Sequence, residues 1–473
     1  MLLAVKLNFR RPSLIAAGLH VVSSTTNRRT TVHYDTAGLH LARWGCTLYR
    51  RSKGTWTVSV DGQDVQSFGG GGDAPPQVVV DFLTAYHRGM ELVPLVEMRT
   101  RQRHIELSNA KGVLVCIDDE RSEGIPAPEY NGIRRLVVSS PKGARRQVAV
   151  VARAMRSAGA GPTDGVPAYL AVAGVRPPPP EVPMPDVSPR STVVEAIQGA
   201  LAASVVRLIR NDGPTRCGED PEGLHQARVA TRRLRSDLRT FLPLLDARWV
   251  EDLRADLSEL ADDLGRVRDA DVLLERLRTS ARDMPDTEAV EGVLCSLVRT
   301  READRARLLV VMRGQEYLRL LDRLASAAVS PAIVNGGNER ASDVLPPLAR
   351  ETWVRLRRRV RSLGSQPTDE DLHAVRIAAK RARYAAEAVG PAVGAEAAAF
   401  ARAMADLQTH LGDLHDAVVA ADWLRAAAAA APPRETFVAG ELRGRQLEQA
   451  GALRASWKRV WQAARHSRLR RWM

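Results

Sequence analysis

The chain has 473 residues, enough for two or three domains, and 45% of them are hydrophobic, which is ordinary for globular cores. Its 69 Lys and Arg against 55 Asp and Glu give a formal charge of +14, a balance that suits a polyanionic partner such as nucleic acid, acidic lipid or a phosphate polymer. Aromatic residues make up only 4%, too few platforms for a protein that reads stacked single-stranded bases.

Cys46, Cys116, Cys217 and Cys295 are scattered and form no C-x-x-C pair, so neither a zinc knuckle nor a disulfide framework has support. No metal and no cofactor is expected, and a reducing cytoplasm is the default compartment. Lys6, Arg10 and Arg11 interrupt the opening apolar run, which leaves no secretory h-region, and no stretch of about 18 apolar residues follows. The expectation is a cytoplasmic protein without membrane insertion.

Residues 1–160 carry short Val, Thr, Leu and Tyr runs punctuated by Gly, Asp and Pro, the signature of an antiparallel β domain. Strands are predicted at Thr31–Asp35, Thr47–Arg51, Thr55–Val60, Leu92–Arg103 and Gly112–Ile117, with a helix or irregular connector over Gln77–Met90. Gly69–Gly72 reads as a loop, because no Gly-Lys-Ser/Thr follows it. Ala144–Ala158 is predicted as a helix packed on this domain, and Gly159–Pro167 as loop.

The segment from Tyr34-Asp35-Thr36 through Trp44-Gly45 to Arg50-Arg51 resembles the one by which CYTH domains are recognised, the tunnel-forming β fold of triphosphatases and class IV adenylate cyclases. That resemblance implies a tunnel in which carboxylates, starting with an N-terminal Glu-x-Glu-x-Lys, hold a divalent metal and Lys or Arg side chains hold triphosphate. The aligned positions here are Leu2, Ala4 and Lys6, so both acids are missing. The strand near Trp56 that would supply a lysine reads Val58-Ser59-Val60, and the late strand that would supply glutamates runs from Leu136 to Ser140. Phosphoryl chemistry needs hard oxygen ligands for its metal, so a degenerate, non-catalytic CYTH-like domain is expected. Lys6, Arg50, Arg51, Arg101 and Arg103 remain, either as residual anion-binding groups or as decoration of a β barrel.

Residues 161–190 are rich in Pro, with Pro177 to Pro180 as a stiff run, and are predicted as linker. From 191 to 473, Ala, Leu, Val and Arg recur at helical spacing, broken at Asn211–Pro214, Asp283–Pro285, Asn335–Asn338, Gly364–Pro367 and Pro432-Pro433. Ser191 or Thr192 and Asp369 are candidate N-caps.

Within this region one pattern occurs twice. At about 100° per residue, His225, Arg228, Arg232, Arg235 and Arg239 fall within about 80° on one side of a helix, beside an apolar side of Ala227, Ala230, Leu234, Leu238 and Phe241. His373, Arg376, Lys380 and Arg383 repeat the stripe, with Val375, Ala378, Ala382, Ala386 and Val389 as the apolar side. Downstream, Leu264-Gly265 with Arg268-Asp269 parallels Leu411-Gly412 with His415-Asp416 at nearly the same offset. Duplication follows, with repeats at about 191–335 and 340–473, each predicted to close as a small bundle around a Gly-marked break. The predicted architecture is α+β: an antiparallel, β-tunnel-like domain followed by an all-α domain of two duplicated helical bundles.

The His-x-x-Arg-Val-x-x-Arg-Arg-Leu-Arg and Leu-Gly-x-x-Arg-Asp patterns resemble those of the CHAD domain, the conserved histidine α-helical domain often found after a CYTH domain. The resemblance implies a helical module that binds inorganic polyphosphate through a basic surface and associates with polyphosphate granules. The chemistry agrees. Arginine gives two charge-assisted hydrogen bonds to adjacent phosphate oxygens, whereas lysine acts as a point charge. Candidate binding residues are His225, Arg228, Arg232, Arg233, Arg235, Arg239, Arg268, His373, Arg376, Lys380, Arg381, Arg383 and His415. Asp269 and Asp416 either orient a cation or cap helices after Gly265 and Gly412. No nucleophile–base pair or metal-binding carboxylate set is evident in the helical region, since His-x-x-Arg lacks the Glu and second His of a zincin helix. Two other readings stay open: a triphosphatase or related phosphate-processing enzyme in the first domain, and a non-specific nucleic-acid binder.

Overall fold

Alternating residues of the first unit, Met1–Glu181, build one sheet with a different chemistry on each face. The computed structural model describes residues 1–14, 18–51, 54–109, 112–125, 132–141 and 143–473, and the side chains of residues 113 and 114 lie outside the described set. The strands are β1 (Leu2–Val5), β2 (His20–Asp35), β3 (Cys46–Arg51), β4 (Thr55–Val60), β5 (Gln63–Gly69), β6 (Val93–Asn109), β7 (Gly112–Ile125), β8 (Ile133–Ser139) and β9 (Gly161–Pro162). They form a nine-stranded antiparallel sheet in the order β5-β4-β3-β2-β6-β7-β8-β1-β9. Five helices accompany them: α1 (His40–Arg43), α2 (Gln77–Phe82), α3 (Thr84–His87), α4 (Arg145–Ser157) and α5 (Ala168–Ala173).

On one face Ile105 and Leu107 of β6, Val115 and Ile117 of β7, and Leu136 and Val138 of β8 pack on Val151 and Met155 of α4 in a buried core. Residues one position away along each strand point to the opposite face, where Tyr169 of α5 stacks on His33 of β2 with ring centroids 4.9 Å apart. Asp35 anchors the segment singled out above: its buried carboxylate accepts the backbone N–H groups of Thr36, Leu41 and Ala42 at 2.7, 2.9 and 3.0 Å.

The observed strands extend the predicted ones. β2 begins at His20, well before Thr31, because most of its first ten residues are exposed and show no hydrophobic alternation. β5 follows β4 through Asp61-Gly62, with φ of 49° and 80°, the two-residue turn that matches strand twist. α5 occupies residues whose composition read as linker.

The second unit, Val182–Met473, is helical. Its helices are α6 (Val193–Cys217), α7 (Pro221–Thr240), α8 (Ala247–Ser280), α9 (Thr287–Arg313), α10 (Gln315–Val329), α11 (Ala341–Val344), α12 (Pro346–Arg361), α13 (Asp369–Val393), α14 (Ala395–Ala428) and α15 (Pro433–Ala464). Thr192 caps α6 and Thr368 caps α13, each in a reciprocal box with Glu195 or Asp371. Asp369 is thus the first helical residue rather than the cap.

Asn211–Pro214 does not break α6. Asp212, fully buried, accepts Arg216 Nε at 2.7 Å and the Tyr317 hydroxyl at 2.6 Å, and these bonds hold the last turn helical around Pro214. Nor do Gly265 and Gly412 mark breaks, since both lie inside 34-residue helices. One core joins Leu277 of α8 and Leu294 of α9 with Leu424 of α14 and Leu442 of α15, so the two halves share apolar surface instead of closing separately. A second core, around Trp353, Phe400, Leu411, Trp457 and Trp461, knits α12 to α15. Among the described residues no helix is long and apolar enough to cross a membrane.

Candidate functional site

Asp220 starts α7 by accepting Glu222 N–H at 2.8 Å, with Pro221 in the first helical position where its missing N–H costs nothing. Leu224, Ala227, Ala230, Leu234 and Leu238 are then buried, and on α13 Leu372, Val375, Ala379, Ala382, Ala386 and Val389 are buried likewise. Burying these two apolar sides turns the cationic stripes toward each other. Lys380 shows the result: burial, followed by the charges of Arg232, Arg376, Arg228 and Arg235, holds its amine down to about 8. Cations from α7 and α13 therefore surround one ammonium.

The groove continues past Lys380. Arg254 of α8 feels Arg239 and Arg235, and Arg381 feels Arg239, Arg355 and Arg254; burial and then these like charges lower both guanidinium pKa values. Among the described residues, the buried Nε atoms of Arg232, Arg235, Arg254 and Arg376, and Nδ1 of His373, have no hydrogen-bond partner. Buried polar atoms are seldom left unpaired, and Arg43, Arg50, Arg443 and Arg470 carry unpartnered buried Nε atoms outside the groove as well. A cavity of about 720 Å³ that includes His225, Arg207 and Arg232 in its lining lies at one end, and one of about 440 Å³ that includes Arg239, Arg355 and Arg381 lies at the other.

Each basic helix crosses its long neighbour at a glycine. The guanidinium of Arg228 passes Gly265, where a Cβ would stand 3.9 Å from Nη2, and Arg228 Nη1 reaches Asp269 at 2.6 Å. Arg376 passes Gly412, where a Cβ would stand 3.4 Å from Nε, and after burial Arg376 is the first charge acting on Asp416 of α14. Asp269 and Asp416 are therefore mid-helix residues that face arginines, not caps. His225 lies by Arg268, and His373 lies by His415 with ring centroids 4.1 Å apart. Burial and adjacent cations lower all three imidazoles, His415 to about 4.

Two predicted residues, Arg233 and Arg383, line the cavity that includes His225 and are paired with acids there. Arg233 pairs with Glu387 and, at 3.3 Å, with Asp237, and its guanidinium lies 5.3 Å from the Tyr384 ring centroid. Arg383 Nε donates to the same Glu387 at 2.7 Å. Arg233 clamps α7 to α13, whereas the Arg383 pair stays within α13, and Glu387 meets part of both charges. Arg254 and Arg355 are cations that the repeat pattern does not reveal; the run Arg355–Arg361 was the only signal for the second, and the first lies outside both stripes.

In the first unit, Arg51 lines a cavity of about 730 Å³ with Arg29, His33, Tyr49 and Tyr169. Arg50 lies on the other face, 2.7 Å from Asp73, and Arg101 and Arg103 are exposed on the α4 side of β6. Lys6 follows the end of β1. Leu2 and Ala4 pair with Val137 and Arg135 of β8, so neither strand supplies a carboxylate there, and the acids on those rungs are Asp118 and Glu120 of β7. Burial lowers His33 to about 3, keeping the ring under Tyr169 neutral. Arg29, absent from the predicted set, bridges Gln102 at 3.2 Å and Glu120 at 3.3 Å. Against the expectation of no metal, His104, Glu106 and Cys116 bring three donor atoms within 4.8 Å of one another.

Residues 199–425, within the helical unit, match the CHAD domain family. The chain is 29% identical to the uncharacterized protein Rv2226 of Mycobacterium tuberculosis strain H37Rv, over 96% of this chain and 94% of that one. It is 28% identical, with the same coverage, to the uncharacterized protein MT2285 of strain CDC 1551. Two solved structures are similar: PptA from Streptomyces chartreusis (24% identity, 57% of this chain, 100% of that one, TM-score 0.49) and the CHAD domain from the plant Ricinus communis (25% identity, 60% and 95%, TM-score 0.49).

Proposed function

We propose that the helical unit binds inorganic polyphosphate along the groove between α7 and α13, through Arg228, Arg232, Arg235, Arg239, Arg376, Lys380 and Arg381, with Arg254 and Arg355 extending the track. His225, Arg268, His373 and His415 supply further donors at its edge, and the two crossings at Gly265 and Gly412 act as matched halves of one device. The protein then resides with polyphosphate in the cytoplasm or at its granules, and the CYTH-like unit contributes residual anion binding rather than hydrolysis.

The observation that carries this reading is the crowding around Lys380. Cations buried this close repel one another at a cost that Asp269 beside Arg228 and Asp416 near Arg376 relieve only in part. A ligand bearing a negative charge on every unit relieves it along the whole groove at once. A linear polymer suits the geometry better than a compact anion, because the stripe from His225 to Arg239 runs roughly 20 Å at 1.5 Å per residue.

Competition at graded salt tests the ligand class. Long-chain polyphosphate should displace bound DNA or RNA readily, and its affinity should fall steeply with salt as counterions are released. Nucleic acid that resists displacement would favour a base-reading protein instead. Metal-dependent phosphate release from triphosphate that disappears in Arg51→Ala would restore the enzymatic reading.

A further inference from the structure

We propose that His104, Glu106 and Cys116 form a binding site for a zinc-type dication on the face of the sheet that carries α5. The antiparallel register sets His104 opposite Asp118 and Glu106 opposite Cys116. Residues two apart on a strand share a face, so these four side chains make one patch across β6 and β7. A donor atom from each of His104, Glu106 and Cys116 lies within 4.8 Å of the other two. One ion with bonds of about 2.0–2.3 Å can gather them with side-chain adjustment alone.

The surroundings are those of a metal-bound imidazole. His104 Nδ1 meets Asp118 Oδ1 at 2.7 Å, which leaves Nε2 toward Glu106 at 3.8 Å. Asp118 also accepts Gln102 Nε2 at 3.1 Å, and Gln102 Oε1 accepts Arg29 at 3.2 Å. A histidine ligand commonly hands its second ring nitrogen to a carboxylate held in this way. An ion pair alone explains His104 and Asp118; it does not explain a thiol, 8% exposed, set directly opposite a carboxylate.

The donor set chooses the ion. One thiolate, one imidazole and one carboxylate suit a borderline-soft dication and not magnesium or calcium, which want oxygen throughout. Thiolate and carboxylate together balance the charge, and three protein ligands leave a fourth position for water or an oxyanion. The row of His104 and Asp118 continues through Val137 to Leu2, but the three ligands themselves come from β6 and β7 and not from β1.

The untagged full-length protein, kept reduced, is titrated with cobalt(II) and followed by absorption. A thiolate-to-cobalt band in the near ultraviolet should saturate at one equivalent, survive Cys295→Ser and vanish in Cys116→Ser. Asp118→Asn should bind about 10–100-fold more weakly. X-ray absorption of the zinc-loaded natural sequence should show one sulfur at about 2.3 Å with nitrogen and oxygen at about 2.0–2.2 Å, a readout that does not depend on any variant folding. A zinc shell without sulfur, or a cobalt band that persists in Cys116→Ser, overturns the proposal.

Discussion

Arg376 of α13 lies across α14 at Gly412, so close that a Cβ there would stand 3.4 Å from its Nε. Arg228 crosses α8 at Gly265 with more room, the corresponding distance being 3.9 Å. Each glycine lets a guanidinium lie low against a helix while its neighbours face the groove.

These two distances predict that both glycines tolerate an added methyl. Gly265→Ala should raise stability by about 1 kcal/mol from helix propensity and leave polyphosphate affinity unchanged, because its methyl meets Arg228 at ordinary contact distance. Gly412→Ala should behave in the same way, because its methyl also meets Arg376 Nε at contact distance. Denaturant midpoints and binding isotherms on the two variants check this.

Arg233 should matter for folding and not for the ligand. Asp237 is fully buried, and burial raises its carboxyl to about 7 even with Arg233 beside it. Arg233→Met removes the partner of this carboxylate and of Glu387, and breaking a buried pair costs about 3–5 kcal/mol. The folded fraction should still bind polyphosphate with affinity close to that of the natural sequence. Unfolding curves and isotherms measured on the same preparation separate the two effects.

The amine of Lys380 sits at about 8 against an ordinary 10.5. Between those values the unfolded chain holds the extra proton, so folded stability rises with pH across that window. Bound polyanion favours the charged amine, and affinity should therefore fall as pH climbs from about 8 toward 10.5. Lys380→Met should flatten this limb and raise stability at pH 7, where the natural residue is charged and crowded.

The imidazoles act at the acid end. His415 is lowered to about 4 by burial and then by His373 and Arg376. Its proton stabilises the unfolded chain below the ordinary 6.5, so stability falls as pH drops through that range toward 4. Polyphosphate should oppose this, its affinity rising over the same interval, and His415→Ala should remove the rise. Isotherms at stepped pH and constant ionic strength measure both limbs.

The helical stripes were legible because a 3.6-residue period survives in the sequence whatever the partners are, and His225 to Arg239 needed no other information. Which cations stay free was not legible. Glu387 lies 154 residues from Arg233, and only the packing of α7 on α13 brings it there. Arg254 joins the groove through the placement of α8, which no spacing encodes. In the first unit, polar residues on both sides of early β2 hid its length, and the Pro-rich composition around Ala168–Ala173 hid a helix. His104, Glu106 and Cys116 escaped notice because their proximity is a property of strand register: the pairing of β6 with β7 is what sets Cys116 directly opposite Glu106.

The central claim is that one groove, lined from two helices, holds the polymer. Replacing Arg228, Arg232, Arg376 and Lys380 together by Ala in the full-length protein, and measuring retention of long-chain polyphosphate beside the circular dichroism of the same sample, tests it most directly. The account predicts that retention at moderate salt is lost while helicity is kept; undiminished retention with the four cations gone would contradict it.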